Sequence, residues 1–389
     1  APVQAHMADK LLFRHWTDYT DGKYWHIIIY NIAKDTYTDV TPGEFHSPTF
    51  SPSGPEGFTF SPDSKELCYL SNHDPHPEAS TNADLWTVPV EGGTARNLTA
   101  DNKAWDGSPQ YSPDGRYIAY RYQTIPSYES DRFRLAIIDR ATGQKTVLTE
   151  HFDNWVDNFK WSNDSKAIYF LGEVRGYEPL YKVTLKTKKI ETVIPQRAIS
   201  SFDFDNKGNF YYTYSTTAKP TAIYKATPSR RGLNEQQLTH FNDAFEQEVD
   251  LRPSEELWVE GANGDSVEVF IVKPHGFEPG KKYPLVINVH GGPQMQWMNS
   301  YRADWQVYPG AGYIVAYPNP HGSTGYGQQF CRDISGDWGG KPFVDVMKVT
   351  DALARLDYVD STRMAAMGWS YGGFFMNWLQ GHTKRFKCL

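Results

Sequence analysis

Gly368-Trp369-Ser370-Tyr371-Gly372 is the stretch of this 389-residue chain that decides the fold of its C-terminal part. The apolar run Met364–Met367 before it predicts a strand, and Tyr371–Gln380 predicts a helix. A serine at such a corner needs glycine two residues before and two after, because larger side chains would clash with the adjoining strand and helix. The corner exposes the hydroxyl and directs a helix N-terminus towards it, which helps stabilise negative charge. Ser370 is therefore a candidate nucleophile, and Gly368 and Gly372 are the elbow glycines.

The segments upstream of this corner alternate between predicted strands and helices. Leu285–Val289 and Tyr313–Tyr317 are almost wholly apolar, as expected of strands that are buried on both faces of a parallel or mixed sheet. Between Pro342 and Tyr358, apolar residues recur at helical spacing. The order strand, helix, strand, helix predicts an α/β layer.

A glycine-rich segment, His290-Gly291-Gly292-Pro293, directly follows the strand predicted at Leu285–Val289. Glycines allow backbone N–H groups to approach a developing alkoxide without interference from side chains. An α/β-hydrolase places its second oxyanion donor in a loop of this kind. Alone, the segment would be read as a plain glycine turn. Together with the elbow at Ser370, in this order along the chain, it predicts an α/β-hydrolase domain.

The first 250 residues repeat at a nearly fixed period. Four turn segments begin 51, 50 and 43 residues apart, and each precedes a short run of aromatic and β-branched residues: Ser61–Ser64, Ser112–Gly115, Ser162–Ser165 and Asp205–Gly208. Tight turns of this composition, repeated every 45–50 residues or so with about four strands per repeat, predict propeller blades. Lys10–Thr41 predicts a further blade, which gives about five. The alternative is an ordinary β-sandwich with similar hairpins.

These patterns predict three parts. Residues 1–249 form the blades of a partial β-propeller, residues 250–262 form a connector, and residues 263–389 form the N-terminal portion of an α/β-hydrolase domain through the nucleophile elbow. A propeller alone indicates no function, so the functional prediction depends on the C-terminal part.

Composition argues against several classes of protein. The net charge of −7 lacks the basic footprint of a nucleic-acid binder, and no apolar run approaches the roughly 18 residues that a membrane-spanning helix needs. The three cysteines match no zinc pattern, and the two histidines of His73-Asp74-Pro75-His76 lack a third ligand. We therefore expect no nucleic-acid partner, no membrane partner, no metal and no cofactor.

With both hydrolase motifs in place, the chain resembles the prolyl oligopeptidase family of serine peptidases, specifically the branch of acylaminoacyl-peptidases and bacterial dipeptidyl peptidases. The resemblance is carried by segments spread over the C-terminal part: Tyr283–Leu285, His290–Pro293, Gly322–Gly327, Gly336–Lys341, Gly368–Phe374 and Gly381–Lys387. It implies a β-propeller that caps an α/β-hydrolase domain and restricts access to short peptides. Bacterial members of this family are often periplasmic, so the resemblance alone implies a periplasmic or secreted location.

The resemblance also implies roles for individual residues. Ser370 is the nucleophile that forms the acyl-enzyme, and the backbone N–H groups of Tyr371 and Gly292 bind the oxyanion. His290 and Gly291 support the loop, and His290 is not expected to be the general base. The implied activity is cleavage of short peptides from the N-terminal side, of the dipeptidyl or acylaminoacyl type.

Two departures from the family pattern matter. His321 stands where the family usually has arginine, which puts the ion pair of that arginine in doubt. In this fold the triad runs Ser, then Asp or Glu, then His, but only 19 residues follow Ser370. We therefore expect a fragment that is truncated at both ends, lacks the Asp and His of the triad, and is inactive alone, because a serine without a base is a poor nucleophile.

Several alternatives stay open at the level of sequence. The elbow also suits an esterase, and a propeller beside an inactive hydrolase layer suits a binding scaffold. Glu255-Glu256 resembles a clamp for a substrate amino group, but its position in the predicted connector favours a solvated charge pair. A homo-oligomer is possible. Dipeptidyl, acylaminoacyl and endopeptidase specificities are not distinguished.

Overall fold

The computed structural model describes residues 5–49, 57–230 and 232–389. The chain divides into two compact units. The first comprises Ala1–Phe152, Lys160–Ile168 and Val183–Lys189, and the second comprises Asp153–Phe159, Tyr169–Lys182 and Ile190–Leu389. No helix in the described ranges has the length and apolar character that crossing a membrane would require.

The N-terminal part of the described chain is built from β-structure alone, apart from one short 3-10 turn, Pro77–Ala79. Two hairpins come first: β1 (Arg14–His15) with β2 (Asp18–Tyr19), and β3 (Ile28–Asn31) with β4 (Thr36–Asp39). Four four-stranded sheets follow, each with consecutive strands as neighbours: β5–β8 (Phe58–Phe60, Glu66–Ser71, Asp84–Pro89, Arg96–Asn97), β9–β12 (Asp106–Tyr111, Tyr117–Tyr122, Arg134–Asp139, Lys145–Val147), β13–β16 (Val156–Trp161, Ala167–Gly172, Leu180–Thr184, Ile190–Ile194) and β17–β20 (Ala198–Phe204, Phe210–Thr216, Lys219–Ser229, Gly232–Gln237).

This succession of antiparallel four-stranded sheets confirms the predicted propeller blades. Where a blade is predicted at Lys10–Thr41, the structure has two separate two-stranded hairpins in place of one four-stranded sheet. Ile27 and Val40, which flank β3–β4, pack with Leu67 of β6. Residues 1–4, 50–56 and 231 of the predicted propeller lie outside the described residues.

Hydrogen bonds within the repeated turns explain why the same residue types recur there. In the turn between β9 and β10, the hydroxyl of Ser112 donates to Asp114 (2.5 Å) and accepts the N–H of Tyr117 (2.9 Å). Gly115 takes a positive φ of 71°, which a glycine adopts without strain. The same serine-to-aspartate hydrogen bond recurs at Ser61 and Ser162. In these three turns the serine hydroxyl is therefore bonded within one short segment, and the N–H of Asp114 in addition donates to Oγ of Ser165 in another turn (3.1 Å).

The C-terminal part is a mixed five-stranded sheet in the order β21-β22-β24-β23-β25. Its strands are β21 (Ser254–Glu260), β22 (Ser266–Val272), β23 (Tyr283–Val289), β24 (Ile314–Asn319) and β25 (Val359–Gly368). β23 pairs in parallel with both β24 and β25, whereas β22 is antiparallel to its two neighbours. β21 lies within residues 250–262, which are predicted as a connector, but its backbone pairs with β22 over the full length of both strands.

The described residues after the blades contain five helices, three of which pack on this sheet. Their bounds are α1 (Asp243–Glu248), α2 (Asp304–Gly310), α3 (Gln328–Arg332), α4 (Gly340–Ala354) and α5 (Tyr371–His382), with a 3-10 turn at Ala262–Gly264. On one face, α4 and α5 pack apolar side chains such as Val349 and Phe375 against Ile287. On the other face, Trp305 of α2 stacks on Tyr317 of β24 with ring centroids 3.6 Å apart. Burial on both faces explains the continuous apolar runs in the sequence, and it confirms the predicted start of an α/β-hydrolase domain.

Candidate active site

The candidate residues lie at one edge of the mixed sheet. Because β23, β24 and β25 are parallel, their carboxyl ends meet at the same edge. The loops that leave this edge begin at His290, Pro320 and Trp369. Open α/β sheets bind ligands at this edge, so three loops with candidate residues converge where chemistry is expected.

Ser370 occupies a strained corner between β25 and α5. Its backbone has φ 58° and ψ −116°, a sparsely populated conformation for a residue with a side chain. The residue is exposed, and α5 begins at the next position. The carbonyl of Ser370 accepts the N–H of Phe374 (3.0 Å), and the carbonyl of Trp369 accepts the N–H of Gly372 (2.9 Å). The corner therefore presents the hydroxyl outward at a helix N-terminus, in the geometry expected of a nucleophile elbow.

The two elbow glycines are required by steric contacts. A Cβ on Gly368 would lie 2.5 Å from the carbonyl carbon of Gly372, and a Cβ on Gly372 would overlap the carbonyl oxygen of Val289. At Gly373, by contrast, the nearest atom would be 3.7 Å away, which is an ordinary contact. Glycine is thus needed at the two positions that the motif specifies and not at the one that follows.

The structure brings the glycine loop against Ser370. A Cβ placed on Gly291 would lie 3.3 Å from Cβ and 3.9 Å from Oγ of Ser370, and 3.2 Å from the carbonyl oxygen of Trp369. Gly292 is exposed and has φ 105°, a conformation that favours glycine. The Gly291–Gly292 backbone therefore lies beside the serine hydroxyl with no side chain between them.

Tyr371 contributes its backbone at this corner. Its N–H is the first of α5, and the first four N–H groups of a helix have no acceptor within the helix. Its ring is buried, and the Tyr371 hydroxyl donates to the carbonyl of Trp338 (2.8 Å). The side chain thus anchors the start of α5 and leaves the N–H available at the corner.

His290 is buried, and both of its ring nitrogens contact atoms of the loops at this sheet edge. Its Nδ1 lies 2.6 Å from the carbonyl oxygen of Gly291, and its Nε2 lies 2.8 Å from Oγ of Ser323. Burial lowers the pKa of His290 to about 4, and the hydrogen bond to Gly291 offsets this only in part. The neutral ring thus has both nitrogens engaged away from Ser370, which agrees with a supporting role.

His321, which replaces the family arginine, forms its own ion pairs. Its Nδ1 lies 2.7 Å from Asp345 of α4, and its Nε2 lies 3.2 Å from Asp265. Burial alone would lower the pKa of His321, but hydrogen bonds to Asp345 and Asp265 and their charges raise it above its usual value. Asp345 also accepts the backbone N–H of His321 (2.7 Å) and that of Ala262 (2.7 Å). Both ring nitrogens of His321 thus face carboxylates, which favours the cationic ring. We call His321, Asp345 and Asp265 the His321 clamp.

Sequence reasoning missed Ser323 and Asp345. Ser323 falls within the glycine-rich segment Gly322–Gly327, but no role followed from its residue type. Asp345 carried a signal, because it is a charged residue on the otherwise apolar face of α4, between Phe343 and Val346. A buried carboxylate on such a face needs donors from other elements.

The ligand atoms of Asp265, His321 and Asp333 lie within 4.8 Å of one another, as a metal site would require. The ammonium group of Lys341, however, lies 2.6 Å from Asp333. Lys341 and His321 are thus cationic partners of these carboxylates, which gives the cluster ion pairs of its own.

The Ser370 hydroxyl has no hydrogen-bond partner within the described ranges. His382, the histidine that follows it most closely, lies at the far end of α5. Its Nδ1 lies 2.7 Å from the carbonyl oxygen of Trp378, on whose ring it stacks. The structure therefore places His382 away from the serine.

The glutamates at 255 and 256 do not form a pair. They are adjacent residues of β21, so their side chains point to opposite faces of the strand. Glu255 lies 2.8 Å from the ammonium of Lys273, and Glu256 accepts the Tyr177 hydroxyl at 2.5 Å. Each is exposed and separately partnered, which does not fit a joint clamp for an amino group.

Comparison with known proteins points to one family. Residues 299–389 match the family model described as Prolyl oligopeptidase family. Dipeptidyl-peptidase 5 of Porphyromonas gingivalis is 33% identical over 386 residues, which is 97% of this chain and 56% of that protein. Dipeptidyl-peptidase 5 of Schizosaccharomyces pombe is 30% identical over 411 residues, 100% of this chain and 59% of that protein. The chain thus spans little more than half the length of these relatives.

A solved structure agrees on the fold. The acylaminoacyl peptidase of Pyrococcus horikoshii superposes with a TM-score of 0.73 at 22% identity, covering 85% of this chain and 50% of that one. At this identity the likeness bears on the fold alone, and it supports the order of propeller blades followed by a hydrolase sheet.

Proposed function

The chain belongs to the prolyl oligopeptidase family, and from this premise we propose that it forms part of a serine peptidase that cleaves short peptides from the N-terminal side through an acyl-enzyme on Ser370. The observation that carries the proposal is the corner at Ser370, with φ 58° and the Gly291 backbone directly beside the side chain. In this proposal, residues 1–249 are propeller blades and residues 263–389 are the first portion of the hydrolase domain.

The chemistry assigns one role to each group at the corner. The hydroxyl oxygen of Ser370 attacks the carbonyl carbon of the substrate, and its proton passes to a general base. The carbonyl oxygen becomes an oxyanion, which accepts the N–H groups of Tyr371 and Gly292. The amine then leaves with a proton, and water hydrolyses the acyl-enzyme. The N-terminus of the 12-residue helix α5 adds favourable charge at the oxyanion.

The substrate class in this proposal rests on the relatives. Two are dipeptidyl peptidases by name, and the solved neighbour is an acylaminoacyl peptidase. Because the glutamates of β21 are partnered separately, we do not assign them to a substrate amino group.

We expect residues 1–389 alone not to form an acyl-enzyme. The Ser370 hydroxyl has no base within hydrogen-bond reach among the described residues, and an unactivated serine hydroxyl is a weak nucleophile. A longer form of the protein that supplies the base is expected to be active. Acylation of Ser370 in the 389-residue chain would contradict this.

Steady-state kinetics test the peptidase proposal. The longer protein is assayed with a dipeptidyl anilide, an N-acyl aminoacyl anilide and a simple p-nitrophenyl ester, each with Ser370→Ala as the matched control. We expect anilide turnover that falls by up to about 10⁶-fold in Ser370→Ala. Ester turnover without anilide turnover would favour an esterase, and no turnover of either would favour a binding scaffold.

A further inference from the structure

We propose that Gln296 is a positioning residue for the oxyanion loop, because its buried amide fastens the segment that follows Gly292 to the turn between β14 and β15. This inference rests on the proposed function, in which the N–H of Gly292 binds the oxyanion. It brings a turn of a blade into the reaction, through a residue that the proposed chemistry does not otherwise use.

The turn between β14 and β15 is closed by its own hydrogen bonds. The N–H of Val174 donates to the carbonyl of Tyr177 (2.9 Å), and the N–H of Tyr177 donates to the carbonyl of Val174 (3.1 Å). Arg175 and Gly176, between them, have φ 46° and 69°. Positive φ at both central positions is typical of a tight two-residue hairpin turn. The central N–H groups have no acceptor within such a turn, so other segments must supply one.

Two loops at the carboxyl edge of the mixed sheet supply these acceptors. The N–H of Arg175 donates to the carbonyl of Gly325 (3.0 Å), and the N–H of Gly176 donates to Oε1 of Gln296 (2.8 Å). In return, Nε2 of Gln296 donates to the carbonyl of Tyr177 (3.2 Å). An N–H only donates and a carbonyl oxygen only accepts, so the two bonds fix which end of the amide is oxygen. One side chain therefore binds the turn twice, in a single orientation.

The amide of Gln296 has little room to move. The residue is 4% exposed, and a Cβ on Gly325 would overlap its Oε1. The amide is thus enclosed between the turn and the loop that follows β24. A buried amide that is bonded at both ends and packed on its side holds its own backbone in place.

The chain between Gly292 and Gln296 is short and folded back on itself. The N–H of Met295 donates to the carbonyl of Pro293 (2.9 Å), and a Cβ on Gly292 would lie 2.7 Å from the backbone nitrogen of Gln294. This compact path has no slack that could absorb a shift of Gln296. Such a shift is therefore transmitted to the N–H of Gly292.

Trp297 fixes the next position from the side of the sheet. Its backbone N–H donates to Oδ1 of Asn319 (2.7 Å), and its ring N–H donates to the carbonyl of Asn288 (3.0 Å). The segment after the oxyanion loop is thus held by the sheet at Trp297 and by the blade turn at Gln296. The two attachments are adjacent in sequence, so removing one changes the direction of the chain that leads to Gly292.

Loss of the Gln296 amide leaves the N–H of Gly176 without an acceptor in a buried site. An unpaired buried N–H is unfavourable, so the turn and the loop are expected to separate. The N–H of Gly292 is then aimed less well at the oxyanion. Because the oxyanion forms only in the transition state, this loss is expected in kcat rather than in KM.

The test uses the longer, active protein with Gln296→Ala and, as matched control, Gln306→Ala. Gln306 is also a buried glutamine whose amide bonds to backbone groups, at Arg252 and Thr217, but it lies on α2. Loss of a whole oxyanion donor costs about 10²–10³-fold in kcat, and looser positioning should cost less, about 5–50-fold. We expect this fall in Gln296→Ala with KM within about 2-fold, and a parallel loss of affinity for a peptide boronate, which mimics the tetrahedral state. Gln306→Ala should lower the urea midpoint to a similar extent and leave kcat within about 2-fold.

Hydrogen–deuterium exchange tests the contact without using activity. The amide of Gly176 should exchange faster in Gln296→Ala than in the wild type, because its acceptor is gone, and should be unchanged in Gln306→Ala. Unchanged exchange at Gly176 in Gln296→Ala would mean that Gln296 does not hold the turn.

Two kinetic results would overturn the proposal: an unchanged kcat in folded Gln296→Ala, or an equal loss of kcat in Gln306→Ala. If Gln296→Ala does not fold, Gln296→Glu takes its place. The ionised glutamate keeps an acceptor for the N–H of Gly176 but has no donor for Tyr177, so kcat should again fall, and an unchanged kcat would overturn the proposal. If the wild-type protein forms no acyl-enzyme at Ser370, the proposed function fails first, whereas exchange at Gly176 still reports on the contact.

Discussion

The blade turns and the carboxyl edge of the mixed sheet both contain hydrogen-bonded serine and aspartate side chains. The bonded residues are close in sequence in the turns and far apart in sequence at the sheet edge. At the turn of Ser112, the partners of the serine hydroxyl lie within five positions, although the backbone of the same turn also bonds to Ser165 and Arg140. At the sheet edge, His321 contacts Asp345 and Asp265, which lie 24 and 56 positions away, and Ser323 contacts His290, 33 positions away. The serine hydroxyls of the turns are therefore bonded locally, whereas the side-chain contacts of the edge exist only in the assembled sheet. Substitutions at the edge should accordingly cost more free energy of unfolding than substitutions in the turns.

The largest loss is expected for Asp345→Ala. The carboxylate is fully buried and accepts the N–H groups of Ala262 and His321 and Nδ1 of His321. Removing one partner of a buried ion pair costs about 3–5 kcal/mol. Urea unfolding measures the loss. Asp351→Ala on the same helix removes a half-exposed ion pair with Arg385 and should cost at most about 1 kcal/mol. Equal losses in the two variants would contradict the claim that the buried carboxylate of Asp345 stabilises the fold more than the half-exposed pair.

Gly372→Ala should produce the next largest loss. Its new Cβ would overlap the carbonyl oxygen of Val289, a backbone atom that cannot rotate away. Overpacking of this kind costs about 1–3 kcal/mol. The matched control is Gly373→Ala, one position along the same helix, where an ordinary contact at 3.7 Å and better helix propensity predict a neutral or slightly stabilising effect. Thermal unfolding distinguishes the two, and a Gly373→Ala variant that is the less stable of the pair would refute the steric account of the elbow.

The charge of His321 should make the free energy of unfolding depend on pH. Because the folded pKa is raised above the ordinary value of 6.5, protonated His321 stabilises the fold fully below about pH 6.5, and this contribution is lost as the pH rises through the folded pKa. The difference in unfolding free energy between the wild type and His321→Gln should therefore shrink from pH 6 to pH 9. The groups facing His321 are Asp345 on α4, Asp265 after the 3-10 turn, and Asp333, which also pairs with Lys341. If the difference in unfolding free energy instead grew from pH 6 to pH 9, protonated His321 would not be the stabilising form.

The smallest effect is expected at a blade turn. Ser112→Ala removes one hydroxyl that bridges Asp114 and the N–H of Tyr117, a local interaction worth about 1 kcal/mol. Equilibrium unfolding of the variant gives the value. A loss larger than that of Gly372→Ala would reverse the order on which the comparison between turns and edge depends.

The same comparison explains what the sequence predicts. The blade turns, the apolar strands and the elbow at Ser370 depend on residue types within short windows, so their patterns are legible in the sequence. The contact between Gly291 and Ser370 follows from the order of motifs along parallel strands. The pairing of Ser323 with His290 and of Asp345 with His321 does not, because it joins segments whose register is set only by tertiary packing. The connector predicted over residues 250–262 contains all of β21, which in the structure pairs along the full length of β22.

The proposed role of Ser370 as nucleophile can be tested by covalent labelling. Intact-mass spectrometry after treatment with a fluorophosphonate, followed by peptide mapping, tests this directly. One adduct per chain on the peptide that contains Ser370 is expected in the longer, active protein, and none in residues 1–389 or in Ser370→Ala. An adduct on another residue, or undiminished anilide turnover in Ser370→Ala, would contradict the claim.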